Sequence, residues 1–518
     1  MARMTLPRVA AMTLVLALAG AGRASADHPV TLNEAVRMAL QRNEDVIIER
    51  ESVTAANANL RGAQGAYDPV LQLDGGWSRS QEPVNSVFSG APLGHLGPEF
   101  KVTEAGGGIS QYLPTGGSVA LTAHGLKQTT DGAASLLSPA YGTRVGIELR
   151  QPLLRDLAVD DVRLRLSVAH ADRGAAIASL RRTASNTVAA VERAYWSLVA
   201  ARQALAVRED AVRLAEQQLE ETMSRVQTGS APGTEISQPR AELERRRGEL
   251  FADRETQARA QNALKLLILA DADAARWLEP LAPSDTTTVV SETVDRAVAL
   301  EQALAGRPEL DEARALLDRR HAETSRAKSG VWPSLDAVVS YERFGLSGTK
   351  NPLAPAGSTA GLDGDLGSAI SSLSDGESDA ARVGVVLGLP ITNRTARSAV
   401  VAAQSAERQA EAALARAQKS ICADVLDAAA ALETAAQRVA AARAGREAAE
   451  TQLDAERDRY STGRSTNFLV LTRQNDLSRA RLDEIAARTD YESARTELSL
   501  ATGSLIQAHG IDVAAPTR

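Results

Sequence analysis

Two stretches of this chain repeat apolar residues every seventh position for far longer than an ordinary globular helix. The first runs Ile177, Ala184, Val191, Leu198, Leu205, Val212, Leu219, Val226. The second runs Val425, Leu432, Val439, Arg446, Leu453, Tyr460, with one charged member. Sustained sevens specify a left-handed coiled-coil seam. A helix over 161–227 would be about 100 Å long at 1.5 Å per residue. Each series ends at a glycine, Gly229 in RVQTGSAPGTEI and Gly463 in RYSTGRSTNFL. Glycine supplies the left-handed backbone that closes a helix. Leu243, Leu250 and Leu264 then keep the seven-residue spacing on a shorter return segment. Thr234 in the first copy, and Ser465 or Thr466 in the second, are expected to cap that return helix. The chain therefore contains two long helical hairpins.

The hairpins belong to an internal duplication. Gln218-Leu219 matches Gln452-Leu453, Arg225 matches Arg459 and Thr228 matches Thr462, all at an offset of 234 residues. RVGIELRQP at Arg144 matches RVGVVLGLP at Arg382, and Pro69 matches Pro333 in GAYDPVLQL and SGVWPSLDA. The order is conserved between halves while the offsets drift, as loops of changing length require. The plan reads as follows. Residues 27–278 form a first repeat, with strands near 70–80, 102–113, 116–127 and 142–152 and a hairpin over 161–271. A Pro- and Thr-rich linker follows over 279–291. Residues 292–503 form a second repeat, with strands near 334–344 and 381–390 and a hairpin over 397–502. Residues 504–518 are a tail. Each repeat opens with a helix. The first runs from Thr31, which with Glu34 makes a capping box; the second covers about 292–328 and is interrupted at Pro308.

The first residues carry Arg3 and Arg8, an apolar run from Val9 to Leu18, and Ala24-Ser25-Ala26. This is a secretory signal over 1–26, with cleavage expected between Ala26 and Asp27. No cysteine follows that site, so it cannot take a lipid anchor. Beyond it no apolar run reaches the eighteen residues a spanning helix needs. A mature chain that crosses a membrane must then do so as a closed β-barrel. The strands suit one. Leu71, Leu73 and Trp77 share a face, as do Val145, Ile147 and Leu149, and Val383, Val385, Leu387 and Leu389. Strict alternation gives one apolar and one polar side. A small sandwich on helices is the alternative, but it lacks a second layer of strands. GGGISQYLPTGGSVALTAH, 106–124, reads as an additional hairpin turning at Pro114-Thr115-Gly116-Gly117. The long polar segments 81–101, 128–141 and 345–380 would all lie at one end.

Composition supports helices over a globular core. Aromatics are only 3% of residues against 44% hydrophobic, so burial rests on Ala, Leu and Val. The net charge of −7 argues against a nucleic-acid surface. The single cysteine, Cys422, excludes an intrachain disulfide. No catalytic constellation, phosphate loop or cofactor motif occurs, and the six histidines are scattered. The chain reads as a non-enzyme without cofactor or metal. The acidic segment LDGDLGSAISSLSDGESD, 362–379, matches no EF-hand spacing and reads as an exposed loop.

The opening TLNEAVRMALQRN, the paired tips RVQTG and RYSTG, and the strand-to-helix junctions RQPLLRD and GLPITNR resemble the TolC-like outer-membrane factors over essentially all of residues 27–518. The resemblance implies a mainly α fold with transmembrane β: a homotrimer whose strands share a barrel in the outer membrane of a Gram-negative bacterium. Its helices would form a coiled-coil tunnel in the periplasm. It implies a passive exit duct of a tripartite efflux system, with a periplasmic adaptor of an inner-membrane pump docking at the tips. Type I protein secretion is the alternative within that class. A periplasmic coiled-coil scaffold without a pore is the alternative outside it. Arg225, Thr228, Gly229, Arg459, Tyr460, Thr462 and Gly463 are the tip residues the resemblance marks for docking. Family members carry acidic residues six and nine positions after the second tip glycine, as a constriction. Here Leu469 and Thr472 stand there, and Glu235, six after Gly229, is the carboxylate at an equivalent spot. Glu235, Arg464 and Ser465 are the expected aperture residues, with Arg464 facing Glu235 across subunits. Members typically give four strands per chain. Six here would make eighteen per trimer rather than twelve.

Overall fold

The computed structural model describes residues 28–85, 90–270, 272, 274–286, 294–354, 359, 361–376 and 378–511. The expected signal segment and its Ala26–Asp27 cleavage site lie outside the described residues. The described residues fall into two compact units, one drawn from within 1–44, 187–294 and 430–498 and the other from within 45–186, 295–429 and 499–518.

The second of these units holds a six-stranded antiparallel sheet of β2 (Val70–Gln81), β3 (Glu99–Tyr112), β4 (Ser118–Thr130), β5 (Leu137–Pro152), β7 (Ser334–Lys350) and β8 (Asp379–Gly388), hydrogen-bonded in that order. The hairpin β3–β4 is part of this sheet. It turns at Gly116 (φ 83°), whose amide donates to Leu113 O at 2.9 Å. Strand pairing runs beyond the alternating apolar stretches: β4 continues to Thr130, β5 starts at Leu137 and β7 reaches Lys350. Segments 128–141 and 345–380 are therefore not simply loops. Ladder bonds propagate along paired backbones whatever the side chains, so periodicity marks only the half-apolar part of each strand.

Register aligns side chains into rows. One row on one face is Leu71, Ile109, Leu121, Ile147 and Tyr341. Three residues away, and so on the opposite face, a row holds Asp74, Gly106, His124, Arg144 and Phe344. Much of the apolar face is bare: Leu73, Trp77, Val383 and Val385, on the two outer strands, expose 74%, 66%, 82% and 65% of their surface. Strands β2 and β8 are the two edges, and each pairs on one side only among the described residues.

The segment expected as an acidic loop contains a helix, α8 (Leu366–Asp375). Asp365 caps its start by accepting from Ser368 N, and Gly376 closes it at φ 73°.

Sheet turns into helix at two matching elbows. In RQPLLRD and GLPITNR the residues Asp156 (φ 69°) and Asn393 (φ 44°) adopt left-handed backbone, which short polar side chains tolerate best after glycine. Asn393 Nδ2 donates to Val331 O at 2.8 Å. Arg163 donates to the Asp156, Leu157 and Ala158 carbonyls at 2.7, 2.8 and 2.9 Å, tying the first elbow to the start of α3 (Asp161–Gln227).

The opening helix is not continuous. It divides into α1 (Leu32–Arg42) and α2 (Glu44–Gln64) at Asn43, whose backbone is extended (ψ 131°). The capping box of Thr31 and Glu34 is present at its start. The second repeat opens with α6 (Arg296–Gly306) and α7 (Pro308–Gly330).

The helical unit contains the distal part of α3 and its return, α4 (Ser237–Ile268). It also holds the distal part of α9 (Arg394–Ser461) and its return, α10 (Asn467–Ala501). Val425, Leu432, Val439 and Leu453 are buried as the sevens require. Arg446 keeps its place in that series by pairing with Glu484 of α10 at 2.6 Å. The first series holds at Ala184, Val191 and Leu198 and then slips: Ala211, Ala215, Gln218 and Thr222 are buried, while Val212 and Leu219 are only half so. An α-helix drifts about 20° per heptad from a strict seven-residue repeat, which moves the buried line off the sevens.

Residues 279–291 are more than a linker. β6 (Leu281–Pro283) pairs in parallel with β1 (His28–Val30) after the short α5 (Ala274–Leu278). The Tyr195 hydroxyl lies 3.0 Å from Val30 O and 2.7 Å from Asp285 Oδ2, and that carboxylate also accepts from Leu32 N. Burial pushes the Tyr195 phenol up to about 12, so it stays a donor at any physiological pH. Within the expected tail, α11 (Leu505–Ala508) is helical.

Candidate functional site

The two hairpin tips are built alike. At Gly229 (φ 76°) the amides of Gly229 and Ser230 donate to Val226 O and Arg225 O at 3.0 and 2.8 Å. At Gly463 (φ 73°) those of Gly463 and Arg464 donate to Tyr460 O and Arg459 O at 3.0 and 2.8 Å. Both are the paired closing bonds of a glycine-stopped helix. The threonine before each glycine completes the stop. Thr228 Oγ1 donates to Ser224 O or Arg225 O, and Thr462 Oγ1 to Asp458 O or Arg459 O, all at 3.0–3.1 Å. The repeated T-G pair therefore terminates a helix, and its sequence signal is explained by that role.

The exits differ. Thr466 caps α10, with Leu469 N reaching Thr466 Oγ1 at 3.4 Å. Ser465 instead bonds the Glu456 carboxylate. Thr234 caps nothing: it lies inside a short 3-10 turn over Gly233–Ile236 that runs straight into α4. Pro232 fixes the entry to that turn, which displaces the cap the sequence suggested.

The structure brings the two tips of one chain together through residues expected there. Arg225 Nη1 donates to Tyr460 Oη at 2.6 Å, and its guanidinium lies 5.6 Å from the centre of that ring. Arg459 approaches Glu456 at 3.4 Å, so Ser465 and Arg459 converge on one largely buried carboxylate. Glu456 was missed in the sequence; it sits one turn before Arg459 and carries no motif. Arg464 Nε turns back to Thr462 Oγ1 at 3.2 Å, and Glu235 is exposed in the 3-10 turn. Within one chain these two are not brought together. Leu469, one of the two positions where the resemblance implies an acidic residue, exposes apolar surface at the start of α10, as does its neighbour Phe468.

Among the described residues no group of three or more His, Cys, Asp or Glu is placed to hold a metal ion. No described helix is long and apolar enough to cross a membrane.

The family model of the outer membrane efflux proteins matches residues 35–268 and 299–504, covering both hairpins and the sheet. The chain belongs to the outer membrane efflux protein family. No curated protein matches the sequence. Solved structures share its fold. A membrane protein from Pseudomonas aeruginosa is 20% identical at a TM-score of 0.62, over 91% of this chain and 90% of that one. The Campylobacter jejuni CmeC outer membrane channel is 15% identical at 0.62, over 91% and 85%. The Vibrio cholerae outer membrane protein VceC is 16% identical at 0.62, over 91% and 96%. The family is one of outer membrane efflux proteins, and the likeness of this chain to TolC-like outer-membrane factors is one of fold.

Proposed function

We propose that this outer membrane efflux protein is one protomer of a homotrimeric, passive exit duct of a tripartite efflux system. The observation that carries the reading is the six-stranded sheet with one largely bare apolar face and two edges open among the described residues. A bare apolar face suits lipid, and open edges cannot persist there, because each unpaired backbone group costs several kcal/mol in hydrocarbon. Pairing β2 of one copy with β8 of the next removes every edge. Three copies then close a barrel of eighteen strands, about half again as wide as a twelve-stranded one, since diameter grows roughly linearly with strand number. The polar face lines the lumen, and the helical hairpins continue the passage as a tunnel in the periplasm. Arg225, Arg459 and their neighbours at the tips dock the adaptor of an inner-membrane pump. Glu235, Arg464 and Ser465 line the aperture, with Arg464 meeting Glu235 of the next subunit. Six paired amphipathic strands count against a pore-free scaffold.

Reconstitution into planar lipid bilayers tests the duct. Stepwise conductance from the purified trimer is expected; a protein that inserts without conducting contradicts it. Charge reversal at Arg225 and Arg459 together is expected to weaken adaptor binding while the trimer persists on a sizing column. Unchanged adaptor affinity would remove the docking assignment.

A further inference from the structure

Helix α8 lies on the apolar face of the sheet, and the way it is seated leaves an unfilled slot. It is pinned over β5 and β7. Thr143 Oγ1 donates to Ala369 O at 2.8 Å, Ser347 Oγ to Asp365 O at 2.6 Å, and Arg343 Nη1 to Leu373 O at 3.1 Å. Gly345 makes the seat possible, because a Cβ there would come within 2.0 Å of Ala369 O. Ala369 is fully buried beneath the helix. Leu366 and Ile370, one turn apart, remain exposed and overhang the strands beside the seat.

Between that overhang and the sheet is a cleft of about 560 Å³, lined by Leu366, Ile370, Leu373, Ala105, Ala123 and Val145, among others. Its floor is low because the row Ala105, Gly125, Thr143, Gly345 has no large side chain. Toward the loop end the chemistry changes within one row. The next row on the same face is Trp77, Thr103, Lys127, Tyr141, Ser347, and the one after it begins Arg79, Lys101, Thr129. Lys127 also lines the cleft, with its ammonium 5.7 Å from the centre of the Tyr141 ring. Arg79 and Lys101 share the single carboxylate of Glu99, at 2.9 and 2.8 Å. On this face Lys127, Arg79 and Lys101 thus stand against the carboxylate of Glu99 at the polar mouth of an apolar slot, while Glu104 and Arg144, one of each sign, also line the cleft. An aliphatic pocket of this size with a few convergent charges is built for a ligand that is itself apolar with an anionic end.

We propose that this cleft is a lipid site: it takes an acyl chain of a phosphate-bearing lipid under Leu366 and Ile370, with the phosphate at Lys127 and the Arg79–Lys101 pair beyond it. The inference rests on the reading of this face as lipid-facing. It adds a specific, stoichiometric lipid to what would otherwise be an undifferentiated hydrocarbon shell.

The test is native mass spectrometry of the detergent-purified protein titrated with phosphatidic acid, or with phosphatidylcholine of the same chains. Planar-bilayer conductance of each variant is measured alongside. One phosphatidic acid per chain is expected, bound more tightly than phosphatidylcholine. Lys127→Gln should weaken phosphatidic acid by about fivefold, the effect of one cation near an anionic lipid surface. Ile370→Asn should weaken both lipids, and inorganic phosphate should not compete. Both variants should conduct as the wild type does. Equal affinity for the two lipids, or no effect of either substitution, would overturn the proposal, as would competition by inorganic phosphate or a polypeptide found seated on α8. A wild type that binds phosphatidic acid but never conducts would instead count against the duct and leave the lipid site standing.

Discussion

At the scale of single residues, the tip glycines were legible because the constraint on them is local. Both adopt positive φ, and an added Cβ at either would meet nothing within 4 Å. Substitution at Gly229 or Gly463 therefore tests backbone strain alone. Alanine at either position is expected to cost about 1 kcal/mol, and asparagine distinctly less. Chemical denaturation of the two series checks this, and equal effects of alanine and asparagine would contradict it. Glu456 was illegible because its partners Arg459 and Ser465, though near in sequence, meet it only once the tip has folded back, and Glu492 because burial is not written in its neighbours. Glu492 of α10 is 99% buried in its side chain, with Arg495 at 3.3 Å. Burial pushes its carboxyl up despite that arginine. The folded chain thus holds this proton more tightly than the unfolded one. The stability it contributes is full below the ordinary carboxylate pKa and is lost as pH rises through the folded value. Glu492→Gln is expected to raise the thermal midpoint at neutral pH, with the gain vanishing as pH falls toward about 4. A gain that persists in acid would contradict the assignment.

Among elements, the hairpins and the alternating cores of the strands were readable from period alone. Helix α8 was not, although its signals were present: Asp365 as cap, Leu366, Ile370 and Leu373 at i, i+4 and i+7, and Gly376 after the end. Serines between them gave the stretch the composition of a loop, and no lone ten-residue helix is stable without a surface to pack on. That surface, the apolar face around Gly345, is distant in sequence. The slipped seam of α3 and the 3-10 turn after Gly229 were hidden likewise, because drift and a proline act on geometry rather than on pattern. The contact between tips gives a prediction at this scale. Tyr460→Phe keeps the ring beneath Arg225 but removes a 2.6 Å hydrogen bond, about 1 kcal/mol of closing energy. If spreading the tips opens the tunnel, single-channel recordings of this variant should show a higher open fraction, by roughly fivefold where opening is rare. An unchanged or lower fraction would separate this contact from gating.

For the whole molecule, the duplication, the glycine tips and the lack of an apolar run long enough to span a membrane point to the family from the sequence alone. What no single chain contains is the closure. Among the described residues the edges β2 and β8 stay open, and in the proposed duct further copies pair them. The extra hairpin β3–β4 is where this chain departs from a four-strand plan, and it makes the central claim countable. The most direct measurement is a threefold-averaged electron-microscopy map of the detergent-purified protein at a resolution that separates strands. The account predicts a tapered tube with three equivalent chains and eighteen strands around its membrane end, β2 of each chain beside β8 of the next. A barrel of twelve strands with β3–β4 outside the wall, or particles of one chain without a barrel, would contradict it.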